Sequence, residues 1–395
     1  MKRTIAAYIS CASLLVAGEY LSAIKEQSFD LDKNRSIIEA KKLRDSWINP
    51  VRLSYTYQKG NQFPNQKLEN FTVSVDQPIF KSGGIWAAIK YAGAKKIEAL
   101  SGVELSRKAL IARVVELAMN YRKLSYQIER QKLRLENARI DVATKRENYL
   151  HGTIDSTYLN NAIIQKNQIE IALIELQEQL LRTREQLRAI SDIDPKSVQL
   201  PHFTLVPKER FERQNIALAQ KRAAKKAAKY NRFMQIARYL PSLSLFANYN
   251  YQSMKGSLYF PGYSYGDHYS TYGVRLSMPL FDINAFCNIE EAKIDYLKSS
   301  LDLVQAKRER DQLYTRIDKE LGLIDKKIAI TKENHDLYAK LYAQTRDQYR
   351  AGEKTDYDLQ TMRNSLRSSE LDLKIYELDK QLLLLQLYKE MHDAF

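Results

Sequence analysis

The chain contains one short motif twice, at positions 200 residues apart. Each copy centres on a glycine, Gly152 or Gly352, and lies between two long segments whose apolar residues recur at helical spacing. A glycine after a long helical segment, followed by Thr, Ser and Asp residues, predicts a helix C-cap, a tight turn and the N-cap of a second helix. Each copy is therefore expected to form the tip of a long helical hairpin.

Apolar seams support both hairpins. The first arm carries apolar residues at steps of three and four from Leu110 to Val142, interrupted only by Gln131. From Gly83 to His151 this arm would be a helix roughly 100 Å long at 1.5 Å per residue. The second arm has a more polar seam near its tip, between His335 and Tyr349, for which core packing is expected and a position facing the lumen or a neighbouring hairpin is the alternative. Charged residues make up 28% of the chain and glycine and proline are scarce, which also favours long helices over a compact globule.

Four other segments alternate apolar and polar residues with a period of two. They cover 50–58 and 70–79 before the first hairpin, and 241–252 and 270–280 before the second. Each is close to the 9–11 residues that a tilted membrane strand requires, whereas no segment approaches the roughly 20 apolar residues of a transmembrane helix. The apolar side of these strands is expected to face lipid at Leu53, Val73, Leu245 and Leu276. The alternating polar side includes Ser54, Thr72, Ser244 and Ser277.

The order of elements predicts a tandem duplication over nearly the whole chain. The first repeat is expected over 24–207, with its hairpin over 84–192 and a closing linker. The second is expected over 208–395, with its hairpin over 282–392.

Each repeat is also predicted to begin with a helix, over 30–47 and over 208–239. The transition from strand to helix in each repeat contains a proline and a phenylalanine, at Pro78, Phe80, Pro279 and Phe281.

The first 23 residues have the pattern of a secretory signal peptide. Lys2 and Arg3 precede a mostly apolar run, Ile5–Ala17, and cleavage is expected after Gly18 or after Ala23. An ordinary N-terminal helix is the alternative.

Charge and motif content argue against several classes of function. The net charge of +15 is spread along helices that also carry acidic residues, and the dense cluster Lys221–Lys229 lacks any zinc-finger, RNP-like or helix-turn-helix pattern. A solvated helix face is favoured over nucleic-acid binding. The five histidines form no i,i+4 pair, and no phosphate-binding loop or activated nucleophile occurs. The sequence therefore predicts no metal, no cofactor and no catalytic residue.

The ordered set of helix, strand pair, proline–apolar–phenylalanine segment, long heptad arm and glycine tip occurs twice over roughly residues 30–392. In this set the chain resembles the TolC family of outer-membrane efflux proteins. The resemblance implies an α+β membrane protein and a homotrimer, with four transmembrane β-strands per chain that close a twelve-stranded barrel. It also implies a long periplasmic coiled-coil α-barrel. Physical reasoning agrees, because strands in lipid must close and four are too few, whereas twelve is an even number in the observed range.

The resemblance also implies a function and partners. The chain is expected to be a passive exit duct of a tripartite efflux pump or type I secretion system, in the cell outer membrane and extending into the periplasm. Expected partners are a periplasmic adaptor protein, an inner-membrane transporter and outer-membrane lipid. The alternative is a secreted or surface coiled-coil structural protein without channel activity, which would not need four alternating strands.

The same resemblance suggests roles at the second tip. It places Asp358 where an acidic residue of each protomer rings the closed periplasmic entrance, and Lys354 where a basic residue ties one hairpin to its neighbour. Thr361 lies where family members can have a second acid. Either Asp356 compensates for this difference, or the ring is less acidic and less cation-selective. Capping of the returning helix is the alternative role for Asp358. The full set of predicted tip residues is Gly152, Gly352, Lys354, Asp356, Asp358 and Thr361.

Overall fold

The structure is a computed structural model that describes residues 20–60, 67–255, 262 and 264–392. Most of the predicted signal peptide therefore lies outside the described residues. The elements in chain order are α1 (Ala23–Arg44), β1 (Arg52–Lys59), β2 (Lys67–Phe80), α2 (Gly84–Leu150), α3 (Ser156–Arg188), α4 (Lys208–Gln214), α5 (Ile216–Arg238), β3 (Ser242–Lys255), β4 (Ser264–Ser277), α6 (Ala285–Arg350) and α7 (Asp356–Tyr388).

This architecture confirms the predicted fold class of long helices with four antiparallel strands. Helices α2 and α6 contain 67 and 66 residues, and α3 and α7 contain 33 each. The bounds of α3 and α7 differ by 200 residues at both ends, the same offset as the two glycine motifs. None of the helices in the described ranges is long and apolar enough to cross a membrane.

The chain divides into two compact units, and each takes segments from both predicted repeats. The helical unit comprises the described parts of Met1–Leu31, Val103–Ile216 and Arg308–Phe395. The strand unit comprises Asp32–Gly102 and Ala217–Lys307.

The core of the helical unit lies along the predicted apolar seams. Val114, Leu117 and Ile128 of α2 are buried, as are residues of the other three long helices, and Ile317 and Leu387 are fully enclosed. The other buried residues of these seams are Tyr121, Leu135, Leu173, Leu187, Leu321, Ile328, Leu371 and Ile375. Burying a side chain of this size contributes roughly 1.5–3 kcal/mol, so the seams hold the long helices together.

Gln131, the one polar residue that interrupts the α2 seam, is buried with a hydrogen-bond partner for its side chain. Gln131 is buried, and its Nε2 donates a hydrogen bond to the Ile169 carbonyl of α3 at 3.1 Å. The interruption therefore links α2 to α3 without leaving an unpaired buried amide.

Ion pairs show which helices are neighbours in the helical unit. Lys123 and Arg130 of α2 pair with Asp379 and Asp372 of α7. Lys380 of α7 also reaches Asp325 of α6 at 2.7 Å. Helix α7 therefore contacts both α2 and α6, and α3 packs on α2 through Ile128, Leu135 and Leu173.

The start of the described chain is tied into this unit. Tyr20 and Leu21 are buried in the core, the Tyr20 hydroxyl donates to the Gln199 carbonyl, and the Ser191 hydroxyl donates to the Tyr20 carbonyl at 2.6 Å. Cleavage after Ala23 would remove these contacts, whereas cleavage after Gly18 would retain them. Helix α1 also begins seven residues earlier than the predicted helix over 30–47 and ends three residues before it.

The predicted continuous helix over 208–239 is wrong. It is broken at Asn215, which is buried with an extended backbone (ψ 116°) and forms an isolated bridge with Met391. The Ile216 N–H donates to the Glu390 carbonyl and the His392 N–H donates to the Gln214 carbonyl. These tertiary hydrogen bonds replace the helical ones at the break and produce α4 and α5.

In the strand unit, α5 packs closely on the start of α2 through small side chains. Ala223, Ala227 and Ala237 are buried, and a Cβ added to Gly84 would lie 3.1 Å from the Ala237 Cβ. Such short side chains let two helix backbones approach closely. The alanine-rich, lysine-rich sequence of α5 therefore combines a packed alanine side with an exposed basic side.

Candidate channel faces and hairpin tips

The four strands form one antiparallel sheet in the order β1–β2–β3–β4. Register places Leu53 opposite Val73 and Val73 opposite Tyr249, while Leu243 lies opposite Leu276. Since side chains alternate along each strand, one side of the sheet, the apolar face, carries residues that are largely hydrophobic. It comprises Leu53, Tyr55, Tyr57, Phe71, Val73, Val75, Leu243, Leu245, Ala247, Tyr249, Tyr251, Tyr272, Val274 and Leu276. All four predicted lipid-facing residues belong to this face.

The opposite side, the polar face, is lined by serine, threonine and asparagine. The four predicted polar positions Ser54, Thr72, Ser244 and Ser277 all belong to it. The Thr72 hydroxyl donates to the Asn250 side-chain oxygen across β2 and β3 at 2.9 Å. A sheet with one apolar and one polar face separates two environments, as a membrane pore wall must.

Both outer strands have one unpaired edge in the described residues. Strand β1 pairs only with β2, and β4 pairs only with β3. The free edge of β4 is 14 residues long and that of β1 is 8. Such edges leave backbone N–H and C=O groups without partners and favour pairing with another strand.

The two predicted strand-to-helix transitions differ. Pro78 and Phe80 lie within β2, where the register shifts between them, and the Ser82 hydroxyl donates to the Pro241 carbonyl at 2.6 Å. The second segment, predicted as strand to residue 280, leaves the sheet after Ser277, so Pro279 and Phe281 follow β4 and are exposed. The reason is register, because Ser277 pairs with Ser242, the first residue of β3, and no partner remains beyond it.

Both hairpin tips end their first helix in the same way. Gly152 and Gly352 have φ of +72° and +80°, in the left-handed region that glycine adopts without strain. The Thr153 N–H donates to the Asn148 carbonyl, and the Glu353 N–H donates to the Gln348 carbonyl, each at 2.9 Å. With the Gly N–H bonds to Tyr149 and Tyr349, these contacts form a Schellman motif at each tip.

The second tip starts its returning helix with a capping box. The Thr355 hydroxyl oxygen accepts from the Asp358 N–H at 3.2 Å, and the Asp358 carboxylate accepts from the Thr355 N–H at 3.0 Å. The Thr355 hydroxyl also donates to that carboxylate. These hydrogen bonds, backbone first, lower the pKa of Asp358, with a smaller contribution from Lys354. The capping role is therefore present in the single chain, and Thr355 is a tip residue that sequence reasoning missed although Thr-x-x-Asp is a capping pattern.

The first tip uses a different cap. Asp155 is the N-cap residue of α3, and its carboxylate accepts from the Thr157 N–H at 3.0 Å and from the Ser156 hydroxyl. The Thr157 N–H makes the largest contribution to lowering the pKa of Asp155. At the position equivalent to Asp358 this tip has Tyr158, so the two tips carry their carboxylates at different places.

The remaining predicted tip residues are close in sequence but not joined by contacts. Lys354 and Asp356 are exposed and Thr361 is half-buried, and Lys354 forms no ion pair within the described chain. No hydrogen bond or ion pair of the described residues joins the two tips. The polar seam from His335 to Tyr349 is half-buried or exposed, so the expectation that it packs in the core is wrong for the single chain.

The described ranges contain no group of three or more His, Cys, Asp or Glu residues arranged to hold a metal ion. The described residues form a two-faced sheet with free edges and a pair of long, capped hairpins.

A family model described as "Outer membrane efflux protein" matches residues 51–191 and 209–391. The chain belongs to the outer membrane efflux protein family. The matched segments include all four strands and the four long helices. Membership in this family identifies the chain as an outer-membrane efflux duct, in agreement with the resemblance seen in the sequence.

Solved channels have the same fold. The structure of VceC from Vibrio cholerae superposes with a TM-score of 0.69 at 16% identity, covering 91% of each chain. The CmeC outer membrane channel of Campylobacter jejuni gives 0.73 at 12% identity, covering 97% of this chain and 85% of that one. The open state of the MtrE outer membrane channel of Neisseria gonorrhoeae gives 0.64 at 13% identity, covering 96% and 87%. A sequence search of curated proteins finds no match.

The glycine at the second tip should be intolerant of side chains for backbone reasons alone. Gly352→Ala is expected to cost roughly 1–2 kcal/mol, because alanine in the left-handed region brings its Cβ close to the carbonyl oxygen that follows. Hydrogen exchange of the Glu353 amide should accelerate about tenfold, which corresponds to ~1.4 kcal/mol. Gly322→Ala in α6 is the control, since a Cβ there meets nothing within 4 Å and its φ is not positive. Unchanged exchange at Glu353 would contradict the strain argument.

Proposed function

We propose that this efflux duct is a passive homotrimeric channel of a tripartite pump or type I secretion system. It spans the outer membrane, extends into the periplasm and opens at the hairpin tips when an adaptor protein and an inner-membrane transporter engage it. The chain contributes no energy of its own, and the transporter supplies it.

The observation that carries the proposal is the sheet with two different faces and two free edges. An apolar face across all four strands suits lipid, and the polar face suits a water-filled lumen. In lipid an unpaired strand edge is too costly to persist, so β4 of one copy must pair with β1 of the next until the sheet closes. Three copies close a twelve-stranded wall.

The tips support the gating part of the proposal. Asp358 and Asp356 place two carboxylates in the first turn of α7, and Lys354 lies in the loop just before the N-cap residue Thr355. Threefold symmetry would gather these groups around one axis, where acidic rings attract cations. Partner contacts with an adaptor are proposed for the same end of each hairpin, where the exposed loop residues have no other packing.

Cross-linking between neighbouring chains tests the trimer directly. We expect Ser54→Cys on β1, combined in turn with Tyr269→Cys or Thr271→Cys on β4, to give a covalent three-chain species for at least one combination. All these positions lie on the polar face, and a disulfide forms only where Cα atoms approach within about 7 Å. Non-reducing gel electrophoresis of the purified protein in a Cys287→Ser background reads the result.

The matched control pairs Ser54→Cys with Asn250→Cys. These residues share the polar face but are two strands apart in the sheet, roughly 9–10 Å, which is too far for a disulfide. Cross-linking in the control, or monomers only in every test combination, would contradict the closed trimer.

Channel activity is measured on the same purified protein in planar lipid bilayers. We expect discrete conductance steps. Recovery of a soluble protein without conductance would instead favour a coiled-coil structural role.

A further inference from the structure

The charged residues of the polar face are confined to its two ends. Arg52, Asp76 and Arg275 lie at the end where the strands connect to helices, and Asp267 lies near the other. Asp267 and Arg275 are eight positions apart in β4, roughly 26 Å at 3.3 Å per residue. Between these ends the described polar face carries only uncharged side chains.

Arg275 is held in place on this face. Its Nη1 pairs with the Asp76 carboxylate at 2.5 Å, and its guanidinium stacks over the Phe246 ring at 4.8 Å from the centroid. The ring in turn lies across Gly273, where an added Cβ would be 3.0 Å from Phe246 Cζ. Only glycine at this position leaves the ring room to support the guanidinium.

The cleft that contains this guanidinium has two further cations without a carboxylate of their own within the described chain. Arg52 and Lys81 line the same cleft as Asp76 and Arg275, with a volume of about 430 Å³. Within the described chain neither side chain forms an ion pair. The cleft therefore holds three cations against one carboxylate, which already pairs with Arg275. Its other polar lining includes the hydroxyls of Ser74, Ser242, Ser244 and Ser277.

We propose that this basic cleft is a binding station for anionic groups of the solutes that pass through the duct. The inference rests on the proposed duct function and names a substrate class for it, solutes that carry phosphate or carboxylate groups. The cleft offers what such a group needs, namely a preorganised guanidinium, two unpaired cations and hydroxyl donors. A trimer would repeat the cleft three times around the lumen and focus a positive potential there.

Position on the polar face distinguishes this cleft from a lipid headgroup site. Arg52 and Arg275 lie on the side of the sheet opposite Leu53, Val274 and Leu276, the residues that would contact lipid. A soluble anion in the lumen reaches the cleft directly, whereas an anchored phospholipid would have to cross the sheet edge.

Pyrophosphate is the probe for binding to the detergent-purified wild-type protein by titration calorimetry. The test variant combines Arg52→Gln with Lys81→Gln, because it leaves the Arg275–Asp76 pair and the Phe246 stack intact. The control combines Lys59→Gln with Lys67→Gln, which also removes two cations but on the apolar face at the far end, where these residues pair with each other. We expect about tenfold weaker pyrophosphate binding in the test variant and unchanged binding in the control.

The outcomes separate this inference from the duct function. No pyrophosphate binding, an equal loss in both variants, or binding of dihexanoylphosphatidylglycerol but not pyrophosphate would overturn the anion station. Binding that depends on Arg52 and Lys81 in a protein that forms no bilayer channels would keep the station and overturn the duct. In bilayers, the chloride-to-potassium permeability ratio should fall at least about twofold in the test variant only, and an unchanged ratio would also overturn the proposal.

Discussion

Arginine on the apolar face of the sheet is expected to prevent assembly of the trimer, whereas arginine one residue away on the polar face is not. Leu53→Arg and Ser54→Arg form the most direct comparison, because both residues are exposed in β1 and differ only in the face they occupy. Arginine at the membrane midplane on the lipid face of a barrel costs roughly 2–4 kcal/mol, less near either interface. Leu53 is the second residue of β1, so its cost lies below the midplane figure, and three copies in a trimer multiply it.

The measurement is the fraction of heat-labile trimer in the outer-membrane fraction, read by gel electrophoresis with and without boiling. Val73→Arg, Leu245→Arg and Leu276→Arg should behave like Leu53→Arg. Thr72→Arg is a second polar-face control, although it also removes the hydrogen bond to Asn250. Ser244→Arg and Ser277→Arg are weaker controls, because both residues line the basic cleft and each arginine would add a positive charge to it. Equal loss of trimer on both faces would mean that lipid does not contact the apolar face.

The faces of the sheet could be predicted because a period of two fixes them. Once Leu53 and Ser54 are in one strand, their side chains must point to opposite sides, and the hydrophobic pattern decides which residues share a side. The long helices were equally predictable, since seams with steps of three and four continue for many turns and end at glycines. These are local signals that need no knowledge of neighbours.

The features that sequence did not predict depend on partners distant in the chain. The break at Asn215 lies in a sequence that would otherwise continue as helix, and hydrogen bonds to residues near 390 create it. Strand β4 ends at Ser277 because β3 begins at its partner Ser242. The sequence around Pro279 does not show where β3 begins, so it could not predict this end. The basic cleft joins Arg52 to Arg275 across four strands, and only the register brings them to one end of one face.

The second tip was predicted only in part. The two roles considered for Asp358, capping of α7 and an acidic ring at the entrance, both use the same carboxylate. Its capping hydrogen bonds lower the pKa, so the cap contributes stability above the ordinary carboxyl pKa and loses it as the pH falls through the lowered value. A ring of three such carboxylates would act in the opposite direction and raise the pKa. A gate test must therefore change the charge of Asp358 without removing the cap.

Asp358→Asn is expected to abolish most of the block of the channel by divalent or trivalent cations while leaving the returning helix intact. The asparagine side-chain oxygen still accepts from the Thr355 N–H, so the cap survives and only the charge is lost. Asp358→Ala removes the charge and the reciprocal half of the capping box, at a cost of about 1 kcal/mol in helix stability, while Thr355 still accepts from the backbone N–H of residue 358. Asp155→Asn at the first tip is the matched control, since it removes one exposed carboxylate from a cap outside the proposed ring.

Lys354→Ala should raise the basal conductance, because a cation that holds the hairpin to an acid of its neighbour is lost, although one exposed pair contributes only ~0.2–1 kcal/mol. Single-channel recordings with added cations on the tip side measure all four variants. If Asp358→Asn retains full cation block while Asp358→Ala frays α7 in hydrogen exchange, Asp358 is a cap alone and the cation site of the duct lies elsewhere.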